Sequence, residues 1–170
     1  MRKGFTMIEL IFVIVILGVL ASVAIPRLAA TRDDAEVAKA ATNLTTAVSD
    51  LTAYYTAKGS FHSYSTGGTQ GKKLTDFTKV TNALTNDGKL RVKNKIDCVS
   101  VELPDNATTA SGKVELTLTF TPNADAVCAQ LAKLPGIVSM CKGGGSIASN
   151  ATSVASTCKI QIGGSGGINF

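Results

Sequence analysis

The feature that most constrains this chain is its beginning. Between Lys3 and Arg27 the only ionisable side chain is Glu9, and an apolar run extends from Leu10 to Ile25. As an α-helix, Phe5 to Ile25 would be about 31 Å long, close to the hydrocarbon thickness of a bilayer. Such a segment can cross a membrane. Arg2 and Lys3 precede it as a short basic leader, which places the start in the cytoplasm and the bulk of the chain outside. The rest of the composition narrows the class. With 170 residues the chain has room for one domain and hardly two. At 45% hydrophobic and 17% charged it is neither disordered nor collagen-like. One His and no Trp leave little material for His-based catalysis or His-rich metal sites. The net charge of +5 falls to +3 without Arg2 and Lys3, too small an excess to require a nucleic-acid partner.

Three readings compete for the start. A secretory signal would be cut near Leu20-Ala21-Ser22-Val23-Ala24 and discarded. A plain signal anchor would be retained, with Glu9 as an accident or a residue that snorkels to the interface. The third reading gives Glu9 a role, because a carboxylate in a spanning stretch costs a few kcal/mol and such residues are functional by default.

Gly4-Phe5-Thr6-Met7-Ile8-Glu9-Leu10, after its basic leader and before its apolar helix, resembles the processing site of type IV pilins and of the pseudopilins of type II secretion. Gly18 and Pro26 also match helix positions of that family, and the close resemblance covers about the first 30 residues. It implies that a prepilin peptidase cuts between Gly4 and Phe5 and that Phe5 becomes N-methylated. It also implies that Glu9 meets the amino terminus of a neighbouring subunit, setting register in a homopolymer. A cation and a carboxylate buried together offset each other's desolvation, whereas either alone is costly. Gly18 and Pro26 would be where the helix loosens in a filament. Before assembly the helix is expected to continue through them, with at most a kink at Pro26.

Arg27 to Lys58 continues with helix formers and no Pro or Gly. Val37, Ala41, Leu44, Val48, Leu51 and Tyr55 form one apolar face. Gly59 should end this helix. The expected fold is α+β and pilin-like, with a long N-terminal helix packed on a small antiparallel head. The parts are residues 1–4 as leader, 5–26 as spanning and filament-core half, 27–59 as amphipathic half and 60–170 as head.

Within the head, 60–74 reads as a loop and Thr75 to Leu84 as a short helix. Leu90 to Leu103 reads as a strand whose alternation shifts phase near Cys98. Pro104 to Gly112 is turn chemistry, and Lys113 to Thr121 alternates strictly. The two strands should pair antiparallel. Ala124 to Leu134 reads as a helix capped by Asn123, and Thr157 to Ile162 as a last strand before a Gly-rich tail. The four cysteines fit two disulfides in an exported head. Of three connectivities the local Cys128–Cys141 with Cys98–Cys158 is favoured. Zinc is disfavoured because no CxxC occurs.

Lys89, Arg91, Lys93 and Lys95 alternate along the first strand. They form either a solvated edge that blocks aggregation or a stripe for DNA or another polyanion, although no aromatic side chains interleave with them. Asp33, Asp34 and Glu36 read as a solvated turn of the helix, and the lone His62 as an exposed loop residue. The N-x-T triplets at Asn43, Asn106 and Asn150 and the glycines at 143–145 and 163–167 carry no specific signal. No cofactor or metal is expected. Calcium, which some pseudopilins bind in the head, is neither shown nor excluded by the sequence.

The expected function is therefore structural and not enzymatic. The chain would be a subunit stored in the bacterial inner membrane, single-pass, with its head in the periplasm. It would polymerise with the help of an assembly platform and minor pilins or pseudopilins. A pseudopilin of secretion or DNA uptake is slightly favoured over a pilin of a surface fibre. The rivals of other classes are a singly anchored DNA-binding module and an anchored periplasmic enzyme, for which no catalytic constellation is visible.

Overall fold

A computed structural model describes residues 4–64, 70–104, 113–143, 147–148, 150–154 and 156–164. The basic leader Arg2-Lys3, the turn residues 105–112 with Asn106, the glycines 144 and 145 and the tail 165–170 lie outside these. The chain divides into two compact units, Met1–Ala35 and Glu36–Phe170, and the division falls within the long helix α1, Met7–Lys58.

From Met7 to Ile25, apart from Glu9, α1 is apolar and exposed all round. Ile11, Val13, Ile14, Leu17 and Leu20 are each about half open or more. Met7–Ile25 is long and apolar enough to cross a membrane. A surface of this kind is stable only against lipid or other protein.

In the second unit α1 is rich in Thr, a β-branched residue that ordinarily disfavours helix. The hydroxyls of Thr42, Thr45, Thr52 and Thr56 donate to the carbonyls of Ala38, Ala41, Val48 and Thr52, so they satisfy themselves along the helix. Val37, Ala40, Leu44, Ala47 and Leu51 form the buried ridge, flanked by the partly buried Ala41, Val48, Tyr54 and Tyr55. The apolar face expected from the sequence is thus present, with its centre rotated toward the alanines. Gly59, at φ 72°, stops the helix, and its N–H donates to the Tyr55 carbonyl at 2.7 Å.

The ridge shares one core with a four-stranded antiparallel sheet in the order β3-β4-β5-β6: Lys89–Val92, Ile96–Glu102, Val114–Phe120 and Thr157–Gly163. Strict alternation puts Val114, Leu116, Leu118 and Phe120 of β5 inside, while Glu115, Thr117 and Thr119 face outward, half-buried. Leu90, Val99, Val101 and Ile160 complete the inner layer. The fold is α+β and pilin-like.

Several local expectations are corrected. The span read as one strand from Leu90 to Leu103 is a hairpin. Lys93 and Asn94 have φ of 49° and 61°, the Val92 carbonyl accepts from the Lys95 N–H at 3.1 Å, and β3 folds back on β4. The phase shift expected near Cys98 is present within β4 itself, where the register slips between Leu90 facing Val99 and Arg91 facing Asp97, so that Cys98 and its neighbour Val99 are both buried. The segment read as a loop holds a two-stranded pair, β1 (His62–Tyr64) with β2 (Gln70–Lys73). Thr75 to Leu84 shortens to a 3-10 turn at Phe77–Lys79, where the Asp76 carboxylate caps the Thr78 N–H. The helix expected over Ala124 to Leu134 becomes α2, Ala126–Leu131, followed by an unforeseen α3, Pro135–Gly143. Its cap is Asp125 and not Asn123. Asp125 has the extended backbone an N-cap needs, and it accepts from the Val127 N–H at 2.9 Å. Pro135 opens α3 at the position where a missing N–H costs nothing.

The favoured disulfide pairing is also corrected. The bonds are Cys98–Cys128 and Cys141–Cys158, not Cys128–Cys141 and Cys98–Cys158. The reason is strand order. Cys98 lies on β4 and Cys158 on β6, with β5 between them. Two interstrand steps amount to roughly 9.6 Å, beyond the reach of a disulfide. The helices supply the partners instead, α2 bringing Cys128 to β4 and α3 bringing Cys141 to β6.

Candidate functional site

Gly4, Phe5 and Thr6 precede the first helical turn and are exposed. A Cβ at Gly4 would meet nothing within 4 Å. The Gly4–Phe5 bond therefore lies in open, non-helical backbone, as proteolysis requires.

Thr6 and Glu9 form a reciprocal cap at the start of α1. The Glu9 carboxylate accepts from the Thr6 N–H at 2.8 Å and from its hydroxyl at 2.6 Å, while the Thr6 Oγ1 accepts from the Glu9 N–H at 3.4 Å. Two amide donors with no helical partner are satisfied together, and the negative charge sits at the positive end of the helix dipole. The T-x-x-E spacing of Thr6 and Glu9 is the sequence signature of such a cap. The cap fixes the carboxylate beside the amide of the residue following Phe5, so cutting at Gly4 would create a cationic amine next to it.

Gly18 and Pro26 both lie within α1, which is unbroken between Met7 and Lys58. A Cβ at Gly18 would also meet nothing within 4 Å, so no contact among the described residues requires a glycine there. The ring of Pro26 is outside the described side chains.

The basic stripe is corrected. Only Lys89 and Arg91 lie on β3, alternating with the buried Leu90 and Val92, and Lys93 and Lys95 lie in the turn beyond it. Three of the four cations face carboxylates. Lys89 Nζ is 3.1 Å from Asp87 and 3.4 Å from Asp97, Arg91 Nε is 2.8 Å from Asp97, and Lys93 Nζ is 3.1 Å from Asp125. The Arg91 hydrogen bond holds the Asp97 carboxyl below the usual carboxylate range, with Lys89 adding to it. The Val127 N–H and then Lys93 do the same for Asp125. A polyanion would have to displace these partners. Among the described residues no cluster of three or more His, Cys, Asp or Glu side chains suits a metal ion.

Residues 1–25 match the model of the prokaryotic N-terminal methylation motif. Neither curated proteins nor solved structures give a match. The motif, with an apolar helix behind it and an α+β head, supports membership of the type IV pilin and pseudopilin family and a structural, pilin-like role for the subunit.

Proposed function

We propose that this chain is a pseudopilin of a secretion or DNA-uptake machine. Prepilin peptidase cuts it between Gly4 and Phe5 and Phe5 is methylated. The subunit waits in the inner membrane with its N-terminus cytoplasmic and its head periplasmic. It then polymerises through residues 5–26, aided by an assembly platform and minor pseudopilins, with 27–59 linking that core half to the head at 60–170. The observation that carries this reading is the accessible Gly4–Phe5 bond, three residues ahead of a helix whose first turn holds Glu9. The pseudopilin choice leans on the Tyr54, Tyr55 and Phe61 cluster at the helix end, where Phe61 lies 5.9 and 5.6 Å from the two tyrosine rings. A surface pilin is the second reading, favoured by two disulfides in a small head that would bear load.

Mass spectrometry of the mature N-terminus tests the processing. The expected product begins with N-methyl-Phe5. An uncut Met1, or a product beginning after Ala24, would overturn the proposal. Shearing of intact cells then separates the machines, because a surface pilus is released and a periplasmic filament is not.

A further inference from the structure

The carboxylates of this chain are unevenly placed. All 12 lie between Glu9 and Asp125, and residues 126–170 carry Lys133, Lys142 and Lys159 with no Asp or Glu. Lys159 reaches back to Glu115 at 3.7 Å. Asp125, the carboxylate nearest in sequence to Lys133, is already held by Lys93 at 3.1 Å and by the Val127 N–H at 2.9 Å. Among the described residues Lys133 and Lys142 form no ion pair. These two uncompensated cations share one cleft.

The cleft has a volume of about 270 Å³, and its lining includes Lys133, Pro135, Val138, Ser139, Lys142 and Thr152. Pro135, Val138, Ser139 and Lys142 stand at i, i+3, i+4 and i+7 of α3, which puts them on one face of that helix. Both walls are anchored. The Val154 N–H donates to the Ala132 carbonyl at 2.9 Å, and the Cys141–Cys158 bond ties α3 to β6. A cleft held in this way is formed before a ligand arrives, which lowers the ordering cost of binding.

Shape and charge together select the ligand. The nine residues of α3 extend about 13 Å, with one lysine in the last turn and the other two residues ahead of Pro135. The charges are rooted at opposite ends and match two anionic groups better than one. Between them the floor is apolar, Pro135 and the 5% exposed Val138. No aromatic ring lines the cleft for a base to stack on. No arginine gives the forked geometry that suits phosphate. An extended peptide sets the side chains of residues two and four apart on one side, about 7 and 13 Å from each other. Ser139 and Thr152 offer hydroxyls to its backbone. The acid–Ala–acid run of this chain, Asp34-Ala35-Glu36, lies within α1, where residues two apart do not face the same way.

We infer that this cleft binds an extended acidic peptide segment of another protein, with carboxylates two to four residues apart and a small apolar residue between them. Lys133 and Lys142 take the carboxylates, and Pro135 and Val138 take the apolar side chain. The inference is independent of how the subunit is processed or assembled.

The test uses the full chain in nonionic detergent micelles and a fluorescently labelled peptide of alternating aspartate and alanine, read by anisotropy. Binding should appear at low salt and weaken as salt rises. The double variant Lys133→Gln/Lys142→Gln should bind about tenfold more weakly, the combined effect of two surface ion pairs. Lys95→Gln, in the β3–β4 turn, should leave binding unchanged. A peptide of alternating asparagine and alanine should not bind. Circular dichroism checks that each variant is folded, and Lys142→Gln alone serves if the double variant is not. Absence of binding to the aspartate peptide overturns the inference, as does an equal loss in Lys95→Gln. Displacement by an equal concentration of inorganic phosphate, or tighter binding of a single-stranded oligodeoxynucleotide through the same lysines, overturns the peptide assignment. Equal or tighter binding of a peptide spanning residues 31–39 would make the ligand a second copy of this chain and overturn the assignment to another protein.

Discussion

Glu9 is a carboxylate at the head of an apolar helix, and the proposed function gives it a role in assembly. Glu9→Ala removes a charge from the span, so membrane insertion should be unchanged or improved. The amine of a neighbouring subunit would then be buried without a counter-charge. The expected outcome is a protein that is made, cleaved and held in the membrane but forms no filament, with Glu9→Asp intermediate. Filament yield or secretion, measured beside membrane abundance, decides it, and normal assembly of Glu9→Ala would remove Glu9 from the mechanism. The head offers a second residue-scale test at Gly88. Its φ is 75°, and an added Cβ would lie 2.6 Å from the Phe77 ring. Gly88→Ala should cost about 1–2 kcal/mol for the backbone alone, with more for displacing Phe77, and a thermal melt should show it. The place of Glu9 was legible because its signal is local, one charge in an apolar run. That of Gly88 was not, since it depends on a ring eleven residues earlier that returns to cover it.

At the scale of elements, packing explains both what sequence reading reached and what it missed. The alternation of β5 and the ridge of α1 were readable because each periodicity is maintained over several residues by one continuous core. The β3–β4 hairpin was hidden because its turn uses Lys93 and Asn94 without a glycine. α3 was hidden because Lys133 and Pro135 resemble a helix end when nothing shows that a second helix begins. The cysteine pairing depends on the strand order, a non-local fact that places β5 between β4 and β6. The corrected bonds close separations of 30 and 17 residues. Each should contribute about 3–4 kcal/mol, so Cys141→Ser/Cys158→Ser should lower the denaturation midpoint of the head markedly. Leu44, fully buried against the sheet, is the matching test of the ridge. Leu44→Ala should cost about 2–5 kcal/mol, and a loss below 1 kcal/mol would mean that α1 is not part of the head core.

For the whole molecule, the charges of the head tie its stability to pH. Asp97 is held below the ordinary carboxylate range by its hydrogen bond to Arg91, and Asp87 by one from Thr85 and then Lys89. In the unfolded chain both would titrate near the ordinary value of about 3.9. Their stabilisation is therefore complete above that value and is lost as the pH falls through the lower folded values. Thermal melts should be flat near neutrality and fall in acid. Asp97→Asn should flatten part of the fall, by a small amount because the pairs are exposed. An acid limb identical to that of the unaltered protein would contradict this account. The two disulfides also have an order along the chain, 98–128 and then 141–158, so neither encloses the other. A single tryptic cut after the exposed Lys133 would leave one bridge in each fragment. The two pieces would be held by non-covalent contacts, the β5–β6 ladder, the bond from the Val154 N–H to the Ala132 carbonyl and the shared core among them, and they should separate on a non-reducing denaturing gel. A nested pairing would have kept them covalently joined, so the integrity of this head after one nick rests on non-covalent contacts alone.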